Sequence, residues 1–403
     1  MWLLALGWLW QLGQWLRHSS EVADLNHIPP ENLHFLPNPS ESRQHVTVIV
    51  PACNEEASIE ATLRSLLASR GVSLQILAVD DRSSDRTGEI MDRVARETVN
   101  NPSVHSIEVL HITELPPGWL GKPHALATAA RLASAPWLLF TDGDVIFAPE
   151  AVSLALGYAL AERADHLVLL PEWIMGTRGE RAMHGAIHAL TIWTFHPWRV
   201  ADPKARDFIG VGAFNLVRSG AYEALGGFET LRMEVIEDLR FGWMVKRAGY
   251  RQRVARGPGL ATVRWSQGAW GVVLNLEKNL FALYRYRVGL ALLAAFGLAV
   301  QIVLPIAALV AAQLAAIGPR FPFALVAGLG AIILYAAVGG LYIASRKATR
   351  VPPPYMLLYP YAASLLLFAV LRSIALALFR GGVVWRGTLY SLKELRANAG
   401  KFW

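Results

Sequence analysis

Leu138-Leu139-Phe140-Thr141-Asp142-Gly143-Asp144-Val145 is an apolar run that ends in two aspartates one residue apart. A short apolar run closed by turn residues reads as a buried strand, so both carboxylates are expected on the loop that follows it. Oxygen ligands on a tight turn suit a hard divalent cation, and Gly143 is expected to let the backbone approach a ligand closely. The spacing alone fits an Asp-Gly turn with solvated side chains equally well. It gains weight from two further acidic pairs, Asp80-Asp81 and Glu237-Asp238, which flank segments that would bring them to the same rim of one domain.

Outward from this stretch, strand-like and helix-like periods alternate. Strands are predicted over His45–Val50, Leu74–Val79, Ser106–His111 and Trp137–Phe140, and helices over Ser58–Ser69, Arg86–Thr98 and Ala125–Ala133. Alternation at these lengths predicts an α/β domain with a mostly parallel sheet covered on both faces. Such sheets bind ligands outside the carboxyl ends of their strands. Pro51–Glu55, Asp80–Asp85 and Thr141–Asp144 all fall at such ends.

Five motifs in this order resemble the family 2 glycosyltransferases of the GT-A fold: Val48-Ile49-Val50-Pro51-Ala52-Cys53-Asn54-Glu55-Glu56, Val79-Asp80-Asp81 through Thr87, Gly121-Lys122-Pro123, Thr141-Asp142-Gly143-Asp144, and Glu237-Asp238. The resemblance covers residues 45–285. Within the family the chain is most similar to membrane enzymes acting on hydrophobic acceptors, such as ceramide, carotenoid and hopanoid-associated glycosyltransferases. Gly118-Trp119-Leu120-Gly121-Lys122, Glu277-Lys278-Asn279 and Trp385-Arg386-Gly387 favour that group.

The resemblance implies that Asp81 contacts the base of a nucleotide sugar, with Pro51, Ala52 and Glu55 forming the rest of that wall. It implies that Asp144 holds Mg²⁺ or Mn²⁺, that Asp142 reaches the ribose or the metal, and that Asp238 is the general base, with Glu237 secondary. Lys122 is expected ahead of a helix, either holding the nucleotide as a mobile point charge or lying on the surface. Asp80 and Asp85 are open between ligand contact and capping of the Arg86 helix. One carboxylate of Glu237-Asp238 is likewise open to capping the helical run Leu239–Val245. Gly210–Asn215 and Gly226-Gly227-Phe228 are open between acceptor approach and simple turns.

The implied activity is inverting transfer of one sugar, a UDP-hexose being the family-level donor, to a membrane lipid or other hydrophobic acceptor. Polymerising members usually carry Gln or Arg three residues before an Arg-Trp pair after the base; here Arg264-Trp265 follows Ala261. A haloacid dehalogenase-type phosphatase expects Thr where Ile146 stands, and a non-catalytic membrane scaffold would be indifferent to Asp144 and Asp238. No Gly-rich Lys-Ser or Lys-Thr loop for P-loop chemistry is present. His184 and His188 share a helical face without an obvious third zinc ligand, which reads as core or interfacial packing.

The chain has 403 residues, a formal charge of +7 and a mean hydropathy of +0.33, which is too apolar for a purely soluble protein. The sequence divides into an N-terminal membrane anchor at 1–20, a catalytic domain at 41–287, transmembrane helices within 288–380 and a basic tail at 381–403. Candidate spans are Gly289–Ile317, Phe321–Ala344 and Tyr355–Phe379, with Pro305 and Pro360 marking where a helix could break. Met1–Leu16 is short for a span, and Arg17 would hold its end in the cytoplasm.

Arg346, Lys347 and Arg350 mark a cytoplasmic connection. Three full crossings would then put Arg380, Arg386, Lys393, Arg396 and Lys401 outside, so one segment is expected to be re-entrant or interfacial. Basic residues cluster near apolar segments, which favours anionic lipid over nucleic acid as a partner. Trp193, Trp198, Trp265 and Trp270, interleaved with Arg199 and Arg264, suggest a surface among headgroups or ordinary packing. Cys53, the single cysteine, excludes an internal disulfide and fits a reducing compartment. The expected location is the inner (cytoplasmic) membrane, multi-pass, with the catalytic domain in the cytoplasm.

Overall fold

The computed structural model describes residues 1–28, 45–100, 104–318 and 322–400. In chain order these form α1 (Trp2–His18), β1 (Ala23–Asp24), β2 (Val46–Ala52), α2 (Ile59–Leu67), β3 (Leu74–Asp81), α3 (Thr87–Asn100), β4 (Ser106–Ile112), α4 (Gly121–Ala130), β5 (Trp137–Phe140), β6 (Val145–Phe147) and α5 (Ala151–Ala161). There follow β7 (His166–Leu170), β8 (Glu172–Trp173), α6 (Arg178–Thr191), β9 (Asn215–Arg218), α7 (Ser219–Ala224), α8 (Glu237–Arg247), β10 (Gln252–Arg256) and β11 (Ala261–Val263). The remainder is α9 (Gly268–Leu283), α10 (Val288–Ile317), α11 (Pro322–Thr349), α12 (Tyr359–Phe379), β12 (Gly382–Trp385), β13 (Thr388–Ser391) and α13 (Leu392–Asn398). The chain divides into two compact units.

The larger unit comprises Val22–Ile174, His196–Arg264 and the segment from Ala397. Its 8-stranded sheet has the order β1-β10-β7-β9-β5-β2-β3-β4. Every neighbouring pair is parallel except the two that flank β9. The central strand β2 is buried along its whole length, as a parallel strand covered on both faces must be.

Side chains alternate across each strand, and this splits the core into two layers. Val46, Val48 and Val50 of β2, Ile76 and Ala78 of β3 and Leu139 of β5 pack with Leu63 and Leu66 of α2, Met91 of α3 and Ala155 of α5. Ile49, Leu77, Leu138 and Phe140 face the other way, onto Leu126 of α4, Tyr222 of α7 and Phe241 of α8. There Phe140 meets Phe228 edge-on at 4.9 Å between ring centroids. Burying a side chain such as Phe241, 0% exposed, contributes about 2 kcal/mol. A second sheet, β6-β11-β8, lies beside the first.

The other unit comprises Met1–Glu21, Met175–Phe195 and Trp265–Arg396. Among the described residues three helices are long and apolar enough to cross a membrane, Val288–Ile317, Pro322–Thr349 and the segment Pro353–Phe379. Pro305 causes no break and lies inside a continuous α10, whereas the expected span Tyr355–Phe379 does change character beside Pro360: Pro353–Leu358 is a 3-10 helix and α12 starts at Tyr359, with Pro360 in its first turn, where a missing N–H costs nothing. Trp8 of α1 packs edge-on against Trp193 at 5.3 Å and Tyr359 at 5.6 Å. His184 and His188 lie on α6, where His188 meets the Trp15 ring at 4.8 Å, and no cluster of three metal-ligating side chains occurs among the described residues.

Candidate active site

The strand order turns back at β2. The chain places β3 and β4 on one side of it, then β5 on the other, and such a reversal is where open α/β sheets take ligands. The carboxyl ends of β2, β3 and β5, with the loops that follow them, carry Pro51–Glu55, Asp80–Asp85 and Thr141–Asp144.

The first two loops are tied to each other. Asn54 and Arg82 both adopt the left-handed conformation, each at φ 58°, which an asparagine tolerates better than an arginine. The Asn54 side chain accepts from the Ser84 N–H at 2.8 Å, and the Glu55 N–H donates to Thr87 Oγ1 at 2.8 Å. Asp85 accepts from the Thr87 N–H at 3.0 Å and its hydroxyl at 2.6 Å. Burial opposes ionisation of Asp85, yet the hydrogen bonds from Thr87 and the Glu56 N–H hold its carboxyl below the usual range. Asp85 is thus a structural tie at the start of α3. Asp80 accepts from the Ser83 N–H at 3.2 Å and meets His111 at 3.1 Å.

Pro51 and Ala52 are buried and Glu55 half-buried. Asp81 is 2% exposed and accepts both arms of the Arg82 guanidinium, at 2.7 and 3.2 Å. Gly121 abuts that carboxylate, and a Cβ there would overlap Asp81 Oδ2. Glycine at this position lets the start of α4 pack directly onto the Asp81–Arg82 pair.

Lys122 lies inside the first turn of α4 rather than ahead of it. Nor is it a surface lysine: its ammonium is 2.6 Å from Asp142 and 2.7 Å from Glu237, with the side chain 16% exposed. Burial alone would lower its pKa, but Asp142, Glu237 and Asp238 together raise it above the ordinary lysine value. Three sequence-distant motifs therefore meet at one charge.

Asp238 stands in the first turn of α8 and accepts from the Leu239 N–H and the Gly212 N–H, each at 2.7 Å. Burial, and then the adjacent Glu237 carboxylate, push the Asp238 carboxyl up to about 6 against the pull of Lys122. The Gly210–Asn215 stretch thus makes a close approach. A Cβ on Gly212 would sit 2.5 Å from Asp142 Oδ2, and one on Gly210 would overlap the Asp238 carbonyl. Gly226-Gly227 is a turn, both residues having positive φ, and Phe228 is core.

Asp142 and Asp144 follow β5 as expected. Gly143, however, faces protein: its Cβ position lies 3.1 Å from Ala52 Cβ and 3.5 Å from Ile59, and its carbonyl accepts from Thr62 at 3.0 Å. The glycine lets the loop after β5 close against the end of β2. Burial, with Asp142 and Glu55 nearby, raises the Asp144 carboxyl to about 7. Two such crowded carboxylates suit Mg²⁺ or Mn²⁺, since Mg²⁺ is commonly held by one or two carboxylates plus substrate phosphates.

A network that the sequence did not reveal supports the Gly210–Gly212 loop. Buried Gln252 accepts from the Ile209 N–H at 3.2 Å and donates to the Ile209 carbonyl at 3.0 Å. It also donates to His166 at 2.8 Å, and His166 bonds Asn215 Oδ1 at 3.0 Å. Burial pushes His166 down to about 4, so the ring is neutral. Asn215 closes the circuit by donating to the Val211 carbonyl at 2.9 Å. Of the tryptophans suggested for a headgroup surface, Trp198 is buried and is ordinary packing.

Residues 47–224 match the family described as Glycosyl transferase family 2. A 4,4'-diaponeurosporenoate glycosyltransferase of Staphylococcus haemolyticus is 22% identical over 239 residues, 58% of this chain and 60% of that relative. An undecaprenyl-phosphate 4-deoxy-4-formamido-L-arabinose transferase of Pectobacterium carotovorum is 30% identical over 119 residues, 29% of this chain and 34% of that relative. The chain thus spans 60% or less of the length of these curated relatives. Among solved structures, a mannosyltransferase from Pyrobaculum calidifontis in complex with GDP-Man and Mn²⁺ is similar at TM-score 0.47 and 18% identity, covering 92% of this chain and 94% of that one. The chain carries a family 2 glycosyltransferase domain with a GT-A-like, mostly parallel sheet.

Proposed function

We propose that this chain is an inverting glycosyltransferase that moves one sugar from a nucleoside-diphosphate sugar, a UDP-hexose, to a hydroxyl of a membrane lipid or other hydrophobic acceptor. The observation that carries this reading is the meeting of Asp142, Lys122 and Glu237-Asp238 at the strand reversal. The relatives named for carotenoid and lipid-linked substrates and the long apolar helices support a hydrophobic acceptor. The protein is proposed to be a multi-pass protein of the inner (cytoplasmic) membrane, its catalytic domain in the cytoplasm.

In this reading Asp81, with Pro51, Ala52 and Glu55, forms the wall for the base, and Asp142 reaches the ribose. Asp238 removes the proton from the acceptor hydroxyl as that oxygen attacks the anomeric carbon. The bond from that carbon to the diphosphate oxygen breaks on the opposite face, so the configuration inverts. A single displacement needs one base, unlike glycosidases with a carboxyl group on each side. Lys122 supplies a fixed positive charge beside the donor and keeps Glu237 and Asp142 apart in charge. A bound Mg²⁺ or Mn²⁺, for which Asp144 and Asp142 are the ligands, would supply positive charge beside the departing diphosphate.

The test is to incubate the purified protein with radiolabelled nucleotide sugars, Mn²⁺ or Mg²⁺ and a total lipid extract. A labelled lipid identified by mass spectrometry is the expected product. Release of free sugar or phosphate alone, with no labelled acceptor, would overturn the assignment.

A further inference from the structure

We infer that α12 does not cross the membrane. It lies in the leaflet on the side from which α10 departs, so that α10 and α11 form the only membrane-crossing pair among the described residues from 288 onward. The occupant of its outer face is lipid.

α10 and α11 form a hairpin. Ile317 of α10 and Pro322 of α11 are separated by four residues, and Gly328 packs against Ala312 and Ala308, so the two helices run antiparallel. At about 1.5 Å per residue each is long enough to traverse a hydrocarbon core of about 30 Å. Arg350, just beyond α11, is therefore on the side of the bilayer from which α10 leaves at Arg287.

α12 starts about 15 Å below the Arg350 end of α11, near the middle of the bilayer and not at its far side, and it ends on the side of Arg350. After Arg350 the chain folds back along α11: the Met356 sulfur is seated against Gly339, 2.6 Å from where a Cβ would be, ahead of the first residue of α12, Tyr359. At the other end Arg372 and Arg380 pair with Glu277 of α9 at 3.0 and 2.9 Å. Lys278 lies 4.6 Å from the centre of the Trp385 ring. Arg396 donates to the Tyr286 carbonyl at 3.2 Å, next to the start of α10.

The face that α12 leaves uncovered fits acyl chains. Tyr361, Phe368, Leu371, Leu378 and Phe379 are 58, 43, 43, 45 and 90% exposed and recur at helical spacing. Ala362, Ala369 and Ser373, on the opposite side, are buried. The stripe suits acyl chains, and Arg372 and Arg380 toward its carboxyl end suit the headgroup level. This placement also keeps Arg380, Arg386, Lys393 and Arg396 on the side of Arg346 and Lys347, as the distribution of basic charge requires.

The experiment uses the full chain with Cys53→Ala and a single new cysteine, either Gly318→Cys or Lys393→Cys, probed in sealed cells with a membrane-impermeant maleimide before and after permeabilisation. The expected result is that the two positions are labelled from opposite sides of the membrane. Labelling of both from the same side means three crossings and overturns the inference. A fluorescent protein fused behind Trp403 gives a second measure: fluorescence is expected, since the fusion folds in the cytoplasm, and a dark but full-length membrane-inserted fusion would contradict it. Neither readout depends on catalysis, so failure here leaves the proposed reaction standing, and the converse holds.

Discussion

Asp238 Oδ2 accepts a hydrogen bond of 2.7 Å from the backbone N–H of Gly212. The bond joins the start of α8 to the loop before β9, and it orients the carboxylate while leaving lone pairs for a substrate proton. Asp238→Asn keeps the shape but cannot take a proton. Its kcat is expected to fall about 10²- to 10⁴-fold, with the KM for the donor little changed and thermal unfolding within a few degrees of the parent. Full activity in the Asn variant would remove Asp238 from the reaction.

Gln252 acts on that bond from behind. Gln252→Leu leaves the N–H and carbonyl of Ile209 and His166 without their partner, at about 1 to 3 kcal/mol for a buried polar group left unsatisfied. The Gly212 amide should then be less well placed. A lower melting temperature together with a reduced kcat is expected, and Gln252→Glu should rescue neither, because a carboxylate cannot donate to the Ile209 carbonyl.

Lys122→Met removes the cation between Asp142 and Glu237. Glu237 is 3% exposed, and stripping the partner from a buried charge costs about 3 kcal/mol. The variant is expected to melt earlier, and to melt less early when combined with Glu237→Gln, since the orphaned charge is then gone. If the double variant is no more stable than the single one, the pair is not what Lys122 serves.

Activity in the proposed reading requires Mg²⁺ or Mn²⁺. Chelation with EDTA is expected to abolish transfer and added Mn²⁺ to restore it, whereas Asp144→Asn should bind Mn²⁺ at least tenfold more weakly by titration. Transfer undiminished in EDTA would rule out this use of Asp142 and Asp144.

How far the sequence alone reaches can be judged at particular residues. Strand alternation in Val46–Ala52 and Trp137–Phe140 is a local property, so the sheet core and the loops carrying Asp81, Asp142 and Asp144 were legible. The helix expected from Ala125 starts at Gly121; Pro123 fits its first turn, where a proline lacks only an N–H that no helix residue would use. The packing role of Gly143 is not legible, because a glycine that lets a loop close on a neighbouring strand looks like any other until Ala52 is seen against it. His166 and Gln252 gave no signal, because their contact depends on the parallel register of β7 with β10, and neither residue belongs to a motif.

His111 offers a test of the β3–β4 edge that leaves the reaction aside. Its ring lies 3.1 Å from Asp80 and 3.1 Å from Asp92, and hydrogen bonds from Asp80 first and Asp92 second raise its pKa above 6.5. A raised folded-state value means that the protonated ring favours the folded state. The contribution is fully present below the unfolded value and disappears as pH rises through the folded one. Because the ring is 43% exposed, solvent screening limits the effect to under about 1 kcal/mol. As pH rises from below 6.5 through the raised folded-state value, the parent is therefore expected to lose slightly more thermal stability than His111→Gln in the same detergent. Parallel curves for the two proteins would show that this imidazolium adds nothing.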